Sequence, residues 1–565
     1  MGAAVQPNLL YYGDNLEVLR RYIKDETVDL VYLDPPFNSH QDYNVLFAEQ
    51  DGSRSAAQIQ AFGDTWRWDA GSARSYEETV EKGGKVADVL QAFRTFLGEN
   101  DMLAYLSMMA PRLVELKRVM KPTASIYLHC DPTASHYLKL LMDAVFGPEN
   151  FRSEVVWQRT NAHPNVGRNY GNIYDVILFY VKGKKYTWNP QYVPYSDEHL
   201  DNSYRYIENG SQRKYALRDL TASVLHASKS QVYAWKGKTP PGSRVWAYTK
   251  ESMEKLDKEG RIEYSSTGNP RLKLYADEMH GVPLQDVWTD IRPIQAQAAE
   301  RLGYPTQKPE ALLDRIVNSS SNEGDTVLDP FCGCGTTIAS AQRLKRRWIG
   351  IDITHIAITL IRSRLNDAYG KEVSYSVVGE PQDLAGARAL VEVDKDRYQF
   401  QWWALGKVGA RPAESEQRKG ADRGIDGRLY FREKAGAPMK SIVLQVKSGH
   451  VSSAQIRDLV GVVEREKAAI GAFLTLEEPT KDMLTEAASA GFYRPEYRMD
   501  PNEKYPKVQI LTVKDLLEGK GLQHPHIRNV TFKAAPKAKR APVTSKARNG
   551  KMDDFDPENG KSEGE

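Results

Sequence analysis

The 565-residue chain contains only three cysteines, Cys130, Cys332 and Cys334, so a framework of disulfides is excluded. Because so few cysteines are typical of a reducing compartment, we expect the protein to be cytoplasmic. Cys332 and Cys334 have no second cysteine pair to complete a zinc site. The apolar runs fall short of the roughly 18 residues that a membrane helix needs, and residues 1–8 lack the features of a secretion signal.

The chain also lacks an excess of charge of either sign, with a formal net charge of +3. The overall charge therefore does not identify a nucleic-acid partner, and any basic surface has to be local. The sequence contains no Gly-x-x-x-x-Gly-Lys-Ser/Thr motif, so it carries no helicase motor of that kind. Residues 533–565 are of low complexity, with seven basic residues in Lys533–Lys551 and six acidic ones in Asp553–Glu565, and we expect a disordered tail there.

Strands and helices alternate in the first part of the chain and again after residue 304. The predicted strands are the apolar runs Leu9–Tyr12, Val28–Leu33, Ser125–Leu128, Thr326–Asp329 and Arg347–Asp352. The predicted helices are Asn15–Ile23, Met102–Met120 (ended by Pro122), Tyr137–Phe146, Lys308–Ser320 and Thr336–Leu344. This alternation predicts an α/β fold with a Rossmann-like, doubly wound sheet, whose ligands bind at the carboxyl ends of the strands.

The first motif that carries chemistry is Asp34-Pro35-Pro36-Phe37, directly after a predicted strand. An exocyclic amine of adenine or cytosine is a weak nucleophile, because its lone pair is delocalised into the ring. The Asp34 carboxylate and the Pro35 carbonyl can accept hydrogen bonds from the two amino protons, and the prolines remove competing N–H donors. Phe37 offers a ring face on which an extruded base can stack. The alternative is a Pro-Pro turn without a catalytic role.

The second motif runs from Asp329 to Thr336, with the sequence Asp-Pro-Phe-Cys-Gly-Cys-Gly-Thr, and also follows a predicted strand. Gly333 and Gly335 suit a turn in which the backbone approaches a nucleoside cofactor. The helix that begins at Thr336 would direct its amides to the cofactor's carboxylate. Asp329 could bind an ammonium group, and Asp352, at the end of the next strand, suits a ribose diol. The alternative is an ordinary tight turn between a strand and a helix.

In this order, the two motifs resemble those of the β-class amino DNA methyltransferases, and the resemblance covers residues 8–370. It implies that the chain transfers a methyl group from S-adenosyl-L-methionine to duplex DNA in a restriction-modification system, with Asp34, Pro35, Pro36 and Phe37 as catalytic residues. The implied cofactor-binding residues are Asp14, Thr306, Gln307, Lys308, Asp329, Phe331, Gly333, Gly335, Thr336 and Asp352.

Asp34 at the first position of the catalytic motif implies adenine N6 as the target of this family member. Cytosine N4 stays open, because Phe37 stands where Tyr is commoner in the family. Asn38-Ser39 and the run Tyr43–Phe47 resemble type III modification subunits, so a separate restriction or helicase subunit is an expected partner. A homodimer is expected from the family alone.

The resemblance divides the methyltransferase into a catalytic part (8–150), a target-recognition region (151–303) and a cofactor-binding part (304–380). The middle region interleaves cations with aromatic residues, and such side chains bind base edges and phosphates. The interleaved runs are Tyr204–Tyr206, Arg213–Tyr215, Tyr233–Lys236 and Arg244–Trp246. The alternative is a surface with scattered Tyr and Arg.

A third unit is predicted over residues 394–518, with strands at Arg428–Phe431, Ser441–Lys447 and Ala469–Leu476 and a helix at Gln455–Glu466. Asp426 and Gln445 could share a Mg2+ ion, while Lys447, on the same strand face as Gln445, could stabilise a phosphate. The pattern resembles the Mrr-like branch of restriction-endonuclease folds, which implies a magnesium-dependent endonuclease. That branch also has an acidic residue on a helix of its active site, and the nearest candidates for it in this sequence are Gln401 and Glu414.

Several alternatives remain open at this point. The third unit could be a DNA-binding domain without catalysis, or a β-hairpin domain whose Asp and Lys are surface charges, because a neutral glutamine holds a cation less firmly than a carboxylate. The methyltransferase could act on RNA or on protein glutamine, since similar Asp-Pro-Pro pockets serve those substrates. A non-catalytic DNA-binding regulator that retains the fold is a further alternative.

Overall fold

The computed structural model describes residues 8–36, 68–162, 170–224, 229–295, 298, 300–302, 304, 306–393, 398–412, 424–434, 437–497, 502–525 and 528–529. The chain divides into two compact units. The first unit is Met1–Trp188 with Val287–Glu565, and the second is Asn189–Asp286. None of the helices in the described part of the chain is long and apolar enough to cross a membrane.

The strands, in chain order, are β1 (Asn8–Tyr12), β2 (Val28–Leu33), β3 (Met120–Cys130), β4 (Phe151–Gln158), β5 (Tyr174–Val181), β6 (Tyr192–Val193), β7 (Tyr206–Ile207), β8 (Lys214–Asp219), β9 (Thr221–Ser223), β10 (Arg244–Trp246), β11 (Ile262–Tyr264), β12 (Pro270–Tyr275), β13 (Val282–Pro283), β14 (Val287–Trp288), β15 (Thr326–Asp329), β16 (Arg347–Asp352), β17 (Tyr375–Val378), β18 (Arg411–Pro412), β19 (Gly427–Arg432), β20 (Met439–Lys447), β21 (Ile470–Thr475), β22 (Phe492–Tyr493), β23 (Tyr505–Pro506), β24 (Val508–Thr512) and β25 (Arg528–Asn529).

The α-helices, in chain order, are α1 (Asn15–Tyr22), α2 (Ala70–Glu81), α3 (Lys85–Leu97), α4 (Asp101–Val119), α5 (Pro132–Phe146), α6 (Asp197–Ser203), α7 (Lys250–Lys258), α8 (Glu310–Ser320), α9 (Thr336–Arg343), α10 (His355–Tyr369), α11 (Leu384–Val393), α12 (Tyr398–Lys407), α13 (Ser453–Arg465), α14 (Lys481–Ser489) and α15 (Val513–Leu517).

A nine-stranded sheet organises the first unit, in the order β14-β4-β5-β3-β2-β15-β16-β1-β17. Its strands are parallel except β5, which runs antiparallel to both β3 and β4. A separate C-terminal sheet has the order β18-β19-β20-β21-β24. The predicted α/β class, with a Rossmann-like sheet and a second C-terminal α/β sheet, is confirmed.

The centre of the large sheet is the pairing of β2 with β15, in which Leu30 lies opposite Val327 and Val31 opposite Leu328. Every residue of β2 is buried, which is the pattern of a strand covered on both faces. Its one charged residue, Asp29, accepts hydrogen bonds from the backbone N–H of Thr326 (2.9 Å) and from Nζ of Lys121 (2.8 Å). Asp29 therefore fixes the register of three neighbouring strands.

The element bounds correct several predictions. Helix α4 ends at Val119 and β3 begins at Met120, so Pro122 lies inside a strand and does not end the helix. The pairing of β2 with β3 is irregular between Val28 and Leu30, and such an irregularity tolerates a residue without an N–H.

Helices α2 and α3 were not predicted. Strands β4 and β5 belong to the large sheet, so the sheet extends to Val181, beyond the boundary predicted at residue 151.

The second unit contains a four-stranded sheet, in the order β11-β12-β8-β7, and two short strand pairs. Trp235 and Trp246 are 5% and 3% exposed and pack in its small hydrophobic core with Leu220, Met253, Ile262 and Leu272. The cations of the interleaved runs are paired within the unit, Arg213 with Asp277 and Lys236 with Asp257. The two tryptophans are therefore core residues, whereas a role of this region in target recognition stays a prediction.

The C-terminal sheet begins with the hairpin β19–β20 and continues in parallel through β21 and β24. Within the first unit, its helix α12 packs on α10 of the methyltransferase part, where a Cβ added to Gly406 would lie 2.7 Å from Oγ1 of Thr359. Buried Glu380 pairs there with Arg362 of α10 (3.1 Å) and Lys407 of α12 (3.2 Å). An acid with two cationic partners therefore joins the two parts.

Replacing Asp29 by Ala should lower the free energy of unfolding by about 2 kcal/mol, because the buried N–H of Thr326 then loses its acceptor. Chemical denaturation of the variant and the wild type measures the difference. As a control, Asp25→Ala removes an aspartate side chain that is 71% exposed and should change the stability by less than about 0.5 kcal/mol. Equal effects of the two substitutions would contradict the assigned role of Asp29.

Candidate active site

Two motifs that are far apart in the sequence meet at the carboxyl edge of the sheet. Asp34 follows β2 directly, and its Oδ2 lies 2.5 Å from Nζ of Lys308, two residues before α8. The two side chains are only 17% and 14% exposed. Lys308 was predicted to line a cofactor pocket, and its contact with Asp34 was not predicted. The pair joins the segment before the cofactor motif to the catalytic motif.

The glycine loop lies at the end of β15, beside β2. Gly333 and Gly335 have φ values of +48° and +75°, which L side chains rarely adopt. A Cβ on Gly335 would lie 2.7 Å from Cγ1 of Ile361, and one on Gly333 would lie 3.2 Å from Cε1 of Tyr304. The close packing of the protein itself therefore requires glycine at both positions.

Two aspartates hold this loop in place. Asp329, which is 3% exposed, accepts hydrogen bonds from the N–H of Phe331 (3.0 Å) and the hydroxyl of Thr337 (2.5 Å). Asp352 accepts hydrogen bonds from the N–H of Gly333 (2.9 Å) and the N–H of Thr354 (2.9 Å). Both acids therefore shape the turn, whatever else they bind.

The carboxyls at this edge are close enough to influence one another. The pKa of Asp329 is raised to about 7, mainly by burial, with smaller contributions from the charges of Asp34 and Asp352, and against the hydrogen bonds of Thr337 and Phe331. Burial also raises the pKa of Asp352. Ionisation of these carboxyls is therefore unfavourable in the present surroundings, and a positive charge placed beside them would stabilise their ionised forms.

Asp14 lies at the start of α1, where its Oδ1 accepts hydrogen bonds from the N–H groups of Leu16 and Glu17. Its Oδ2 lies 2.6 Å from Nη2 of the buried Arg112. The neighbouring Asn15 donates a hydrogen bond to the carbonyl of Pro330 (2.8 Å). This network connects α1 to the glycine loop, and the predicted contact of Asp14 with a cofactor stays a prediction.

The segment before α8 folds on itself. Gln307 accepts a hydrogen bond from the N–H of Leu302 (2.8 Å) and donates one to the carbonyl of Glu300 (2.6 Å), so its side chain shapes the loop that presents Lys308. Thr306 is exposed. Phe37, the predicted stacking residue, lies outside the described residues.

The residues present fit a cofactor that carries a carboxylate and an ammonium group. Helix α9 begins at Thr336, and Gly335 before it provides no side-chain cap; no other cap comes from the part of the chain that the structure describes, so the first amides of the helix are available to an anion. The acids of the edge suit a cation. S-adenosyl-L-methionine has this combination of charges.

A buried chain of hydrogen bonds behind Asp34 was not predicted. The hydroxyl of Tyr32, in β2, lies 2.9 Å from Nδ1 of His129, whose Nε2 lies 3.0 Å from Oδ2 of Asp175. The three residues are at most 4% exposed and belong to three neighbouring strands. The isolated His and Asp give no sequence signal, because only the sheet order brings them together.

The predicted nuclease residues lie directly before β19 (Asp426) and on β20 (Gln445 and Lys447), without a complete set of metal ligands. Oδ2 of Asp426 accepts a hydrogen bond from the N–H of Val446 (2.7 Å), and Nε2 of Gln445 donates one to the carbonyl of Gly424 (2.6 Å). Gln401 donates to the carbonyl of Asp426 and not to its carboxylate. Glu414 lies outside the described residues. The described residues contain no group of three His, Cys, Asp or Glu that could hold a metal ion, so the predicted Mg2+ is not supported.

Comparison with protein families gives two matches. Residues 28–363 match the N6/N4 methyltransferase family, described as DNA methylase, and the chain therefore belongs to this family. Residues 398–518 match a family described as NACHT-associated inactive Restriction Endonuclease 1. A restriction-endonuclease-like C-terminal domain is thereby supported, whereas its assignment to the Mrr-like branch is not.

The chain is similar to several known restriction-modification and methylation proteins. It is 30% identical to the type II methyltransferase M.EcaI of Enterobacter cloacae, over 64% of this chain and 70% of that protein. It is 28% identical to the StyLTI Mod subunit of a type III restriction-modification enzyme of Salmonella typhimurium, over 66% and 55%. It is 24% identical to the DNA adenine methyltransferase YhdJ of Escherichia coli, over 68% and 93%.

Among solved structures, the chain is similar to TTHA0409 of Thermus thermophilus in complex with S-adenosyl-L-methionine. The TM-score is 0.32 at 16% identity, and the match covers 66% of this chain and all of that one.

Replacing Asp329 by Asn should stabilise the protein increasingly as the pH rises. The folded-state pKa of about 7 lies above the ordinary 3.8, so the native wild type holds a proton that the unfolded chain releases, and it loses stability between about pH 4 and 7. Thermal unfolding across this range should show a difference between variant and wild type that grows with pH and is constant above about pH 7. The exposed control Asp88→Asn should show no such trend, and a difference for Asp329→Asn that is independent of pH would contradict the assignment.

Proposed function

We propose that the chain transfers a methyl group from S-adenosyl-L-methionine to N6 of adenine in duplex DNA, as the modification enzyme of a restriction-modification system. The observation that carries this proposal is the position of Asp34. It follows the strand next to the one that ends in the glycine loop, and it pairs with Lys308, which lies in the segment before α8. Membership of the DNA methylase family supports methylation of DNA.

In the proposed reaction, the carboxylate of Asp34 and the carbonyl of Pro35 accept hydrogen bonds from the two protons of the amino group. These bonds draw the lone pair out of the ring and direct it away from the two acceptors. When bound, S-adenosyl-L-methionine supplies an electrophilic methyl group. The lone pair of the nitrogen would form the bond to the methyl carbon while the electrons of the carbon–sulfur bond stay on sulfur, which leaves S-adenosylhomocysteine. One amino proton would pass through the hydrogen-bonded carboxylate of Asp34 to solvent. Positioning is the main contribution of the protein.

The choice of adenine rests on Asp34 and on the relative named as a DNA adenine methyltransferase. N4 of cytosine is the second candidate, because the matched family includes both N6 and N4 enzymes. Chromatography of the digested DNA product distinguishes N6-methyladenine from N4-methylcytosine. A duplex RNA of the same sequence, offered in competition, tests the RNA alternative.

The same proposal implies a region of the chain that recognises DNA and a separate protein partner. The second compact unit, Asn189–Asp286, lies in the sequence between the catalytic and cofactor motifs, and we assign target recognition to it. The similarity to a type III Mod subunit supports a separate restriction subunit as a partner.

Asp34→Ala should reduce methyl transfer to duplex DNA by at least about 100-fold, because the amino group loses a charged acceptor whose hydrogen bond strengthens as the nitrogen becomes cationic. Transfer of labelled methyl to DNA measures the rate, and calorimetric titration measures cofactor affinity, which should change much less. Asp88→Ala, an exposed aspartate of α3, should retain the wild-type rate. Unchanged turnover in Asp34→Ala would contradict the proposed function.

The side chains of the C-terminal domain that could bind a metal ion favour a domain that does not cleave DNA. The side chain of Gln445 is neutral, its amide nitrogen donates to Gly424, and one oxygen of Asp426 is taken by a backbone N–H. Two such ligands hold Mg2+ weakly, because this ion prefers carboxylates and water. The name of the matching family, which includes the word inactive, agrees with this.

Supercoiled plasmid should therefore remain intact with the wild type and with Lys447→Ala alike, in Mg2+ or Mn2+ and on methylated or unmethylated DNA. Gel electrophoresis is the measurement. Metal-dependent nicking by the wild type that disappears in Lys447→Ala would establish the endonuclease that the sequence predicted.

A further inference from the structure

The contact between Lys308 and Asp34 has a consequence for the order in which the two substrates engage. The proposed reaction, on which this inference rests, uses the Asp34 carboxylate as the acceptor for an amino proton. In this structure Oδ2 of Asp34 already accepts a short hydrogen bond of 2.5 Å from the Lys308 ammonium. Both side chains are at least four-fifths buried, so solvent screens the pair only weakly.

Lys308 also acts on the other half of the site. Burial raises the pKa of the Cys334 thiol in the glycine loop, and the positive charges of Arg364 and Lys308 oppose that rise. The ammonium of Lys308 therefore lies within electrostatic range of the loop as well as in contact with Asp34. A lysine is a compact charge on a flexible four-carbon stem, so it can change partners by rotation of its side chain.

The cofactor brings a second carboxylate to this region. The uncapped start of α9 and the Lys308 ammonium are two positive groups of the described site that suit an anion, and Arg364, which donates to the carbonyl of Cys334 (3.1 Å), is already paired with Glu310 (2.6 Å). A carboxylate that binds between these two positive groups attracts Lys308 and weakens its bond to Asp34.

We propose that Lys308 is a positioning residue that exchanges partners: it holds Asp34 before the cofactor binds and pairs with the carboxylate of S-adenosyl-L-methionine afterwards. The exchange leaves Oδ2 of Asp34 available to the amino group of the base. Capture of the extruded base therefore follows cofactor binding. Since coupling between two binding events is reciprocal, an extruded base raises the affinity for the cofactor by the same factor.

The methylated position is first identified by sequencing DNA that the wild type has methylated. The test then uses a DNA duplex that keeps adenine at this position, so that its amino group can reach Asp34, and that carries 2-aminopurine directly beside it. The fluorescence of 2-aminopurine reports extrusion of the base, independently of methyl transfer. Two cofactor analogues are compared at saturation. S-adenosylhomocysteine has both the carboxylate and the ammonium group, whereas its decarboxylated analogue, 5′-deoxy-5′-(3-aminopropylthio)adenosine, keeps the ammonium group and lacks the carboxylate.

In the wild type, S-adenosylhomocysteine should tighten binding of the extruded base by about 5- to 150-fold, the usual range of such coupling. The decarboxylated analogue should have no effect. In Lys308→Met, base extrusion should no longer depend on either analogue, because Asp34 is then available throughout. Lys24→Met makes the same substitution at an exposed lysine and should behave as the wild type.

Lys308→Arg retains the positive charge and should preserve part of the coupling. This variant serves as the control if Lys308→Met unfolds at a lower temperature, because it distinguishes loss of the partner exchange from a general loss of structure. Equal extrusion with the two analogues in the wild type, or the same analogue dependence in Lys308→Met as in the wild type, would overturn the inference. If the wild type transfers methyl groups but shows no carboxylate dependence, only the inference fails. If it transfers none, the proposed function itself is wrong.

Discussion

The hydrogen-bonded pairing of β2 with β15 places the two halves of the site together. The bond from the Thr326 N–H to Asp29 joins residues that are 297 positions apart. Because parallel strands end at the same edge, this one register brings Asp34 beside the glycine loop. A slip by one residue would move Asp34 by about 3.3 Å and turn the buried side chains of β2 to the other face. The buried carboxylate of Asp29 opposes such a slip, since it would lose its partners.

The electrostatics of this edge follow from the same arrangement. Asp34, Asp329 and Asp352 end three neighbouring strands, and their mutual repulsion in a buried environment contributes to the raised pKa of Asp329. Lys308 is the cation in contact with this group. An edge with this charge pattern favours a ligand with positive charge, and S-adenosyl-L-methionine carries both an ammonium and a sulfonium group. The glycine loop and the acids therefore fit the same molecule for different physical reasons.

The sequence predicted the parts of the molecule that depend on local patterns. The buried strand Val28–Leu33 and the strand Arg347–Asp352 were predicted with their observed bounds, because apolar runs and glycine turns are local signals. The contact of Lys308 with Asp34 and the chain from Tyr32 through His129 depend on sheet order, which no local pattern contains. Composition was misleading for Trp235 and Trp246, since a large amphipathic ring beside cations is equally compatible with a small core and with a DNA-binding surface.

The C-terminal domain is attached to the methyltransferase part by more than a linker. Glu380 lies between Arg362 of α10 and Lys407 of α12, and removal of either cation would leave a buried carboxylate with less compensation. Helix α10 begins at His355, three residues after Asp352, which holds the glycine loop. A displacement of α12 therefore acts on the helix that leads into the cofactor edge. A packed interface of this kind transmits small shifts that a flexible tether would absorb, because close-packed side chains have little room to rearrange.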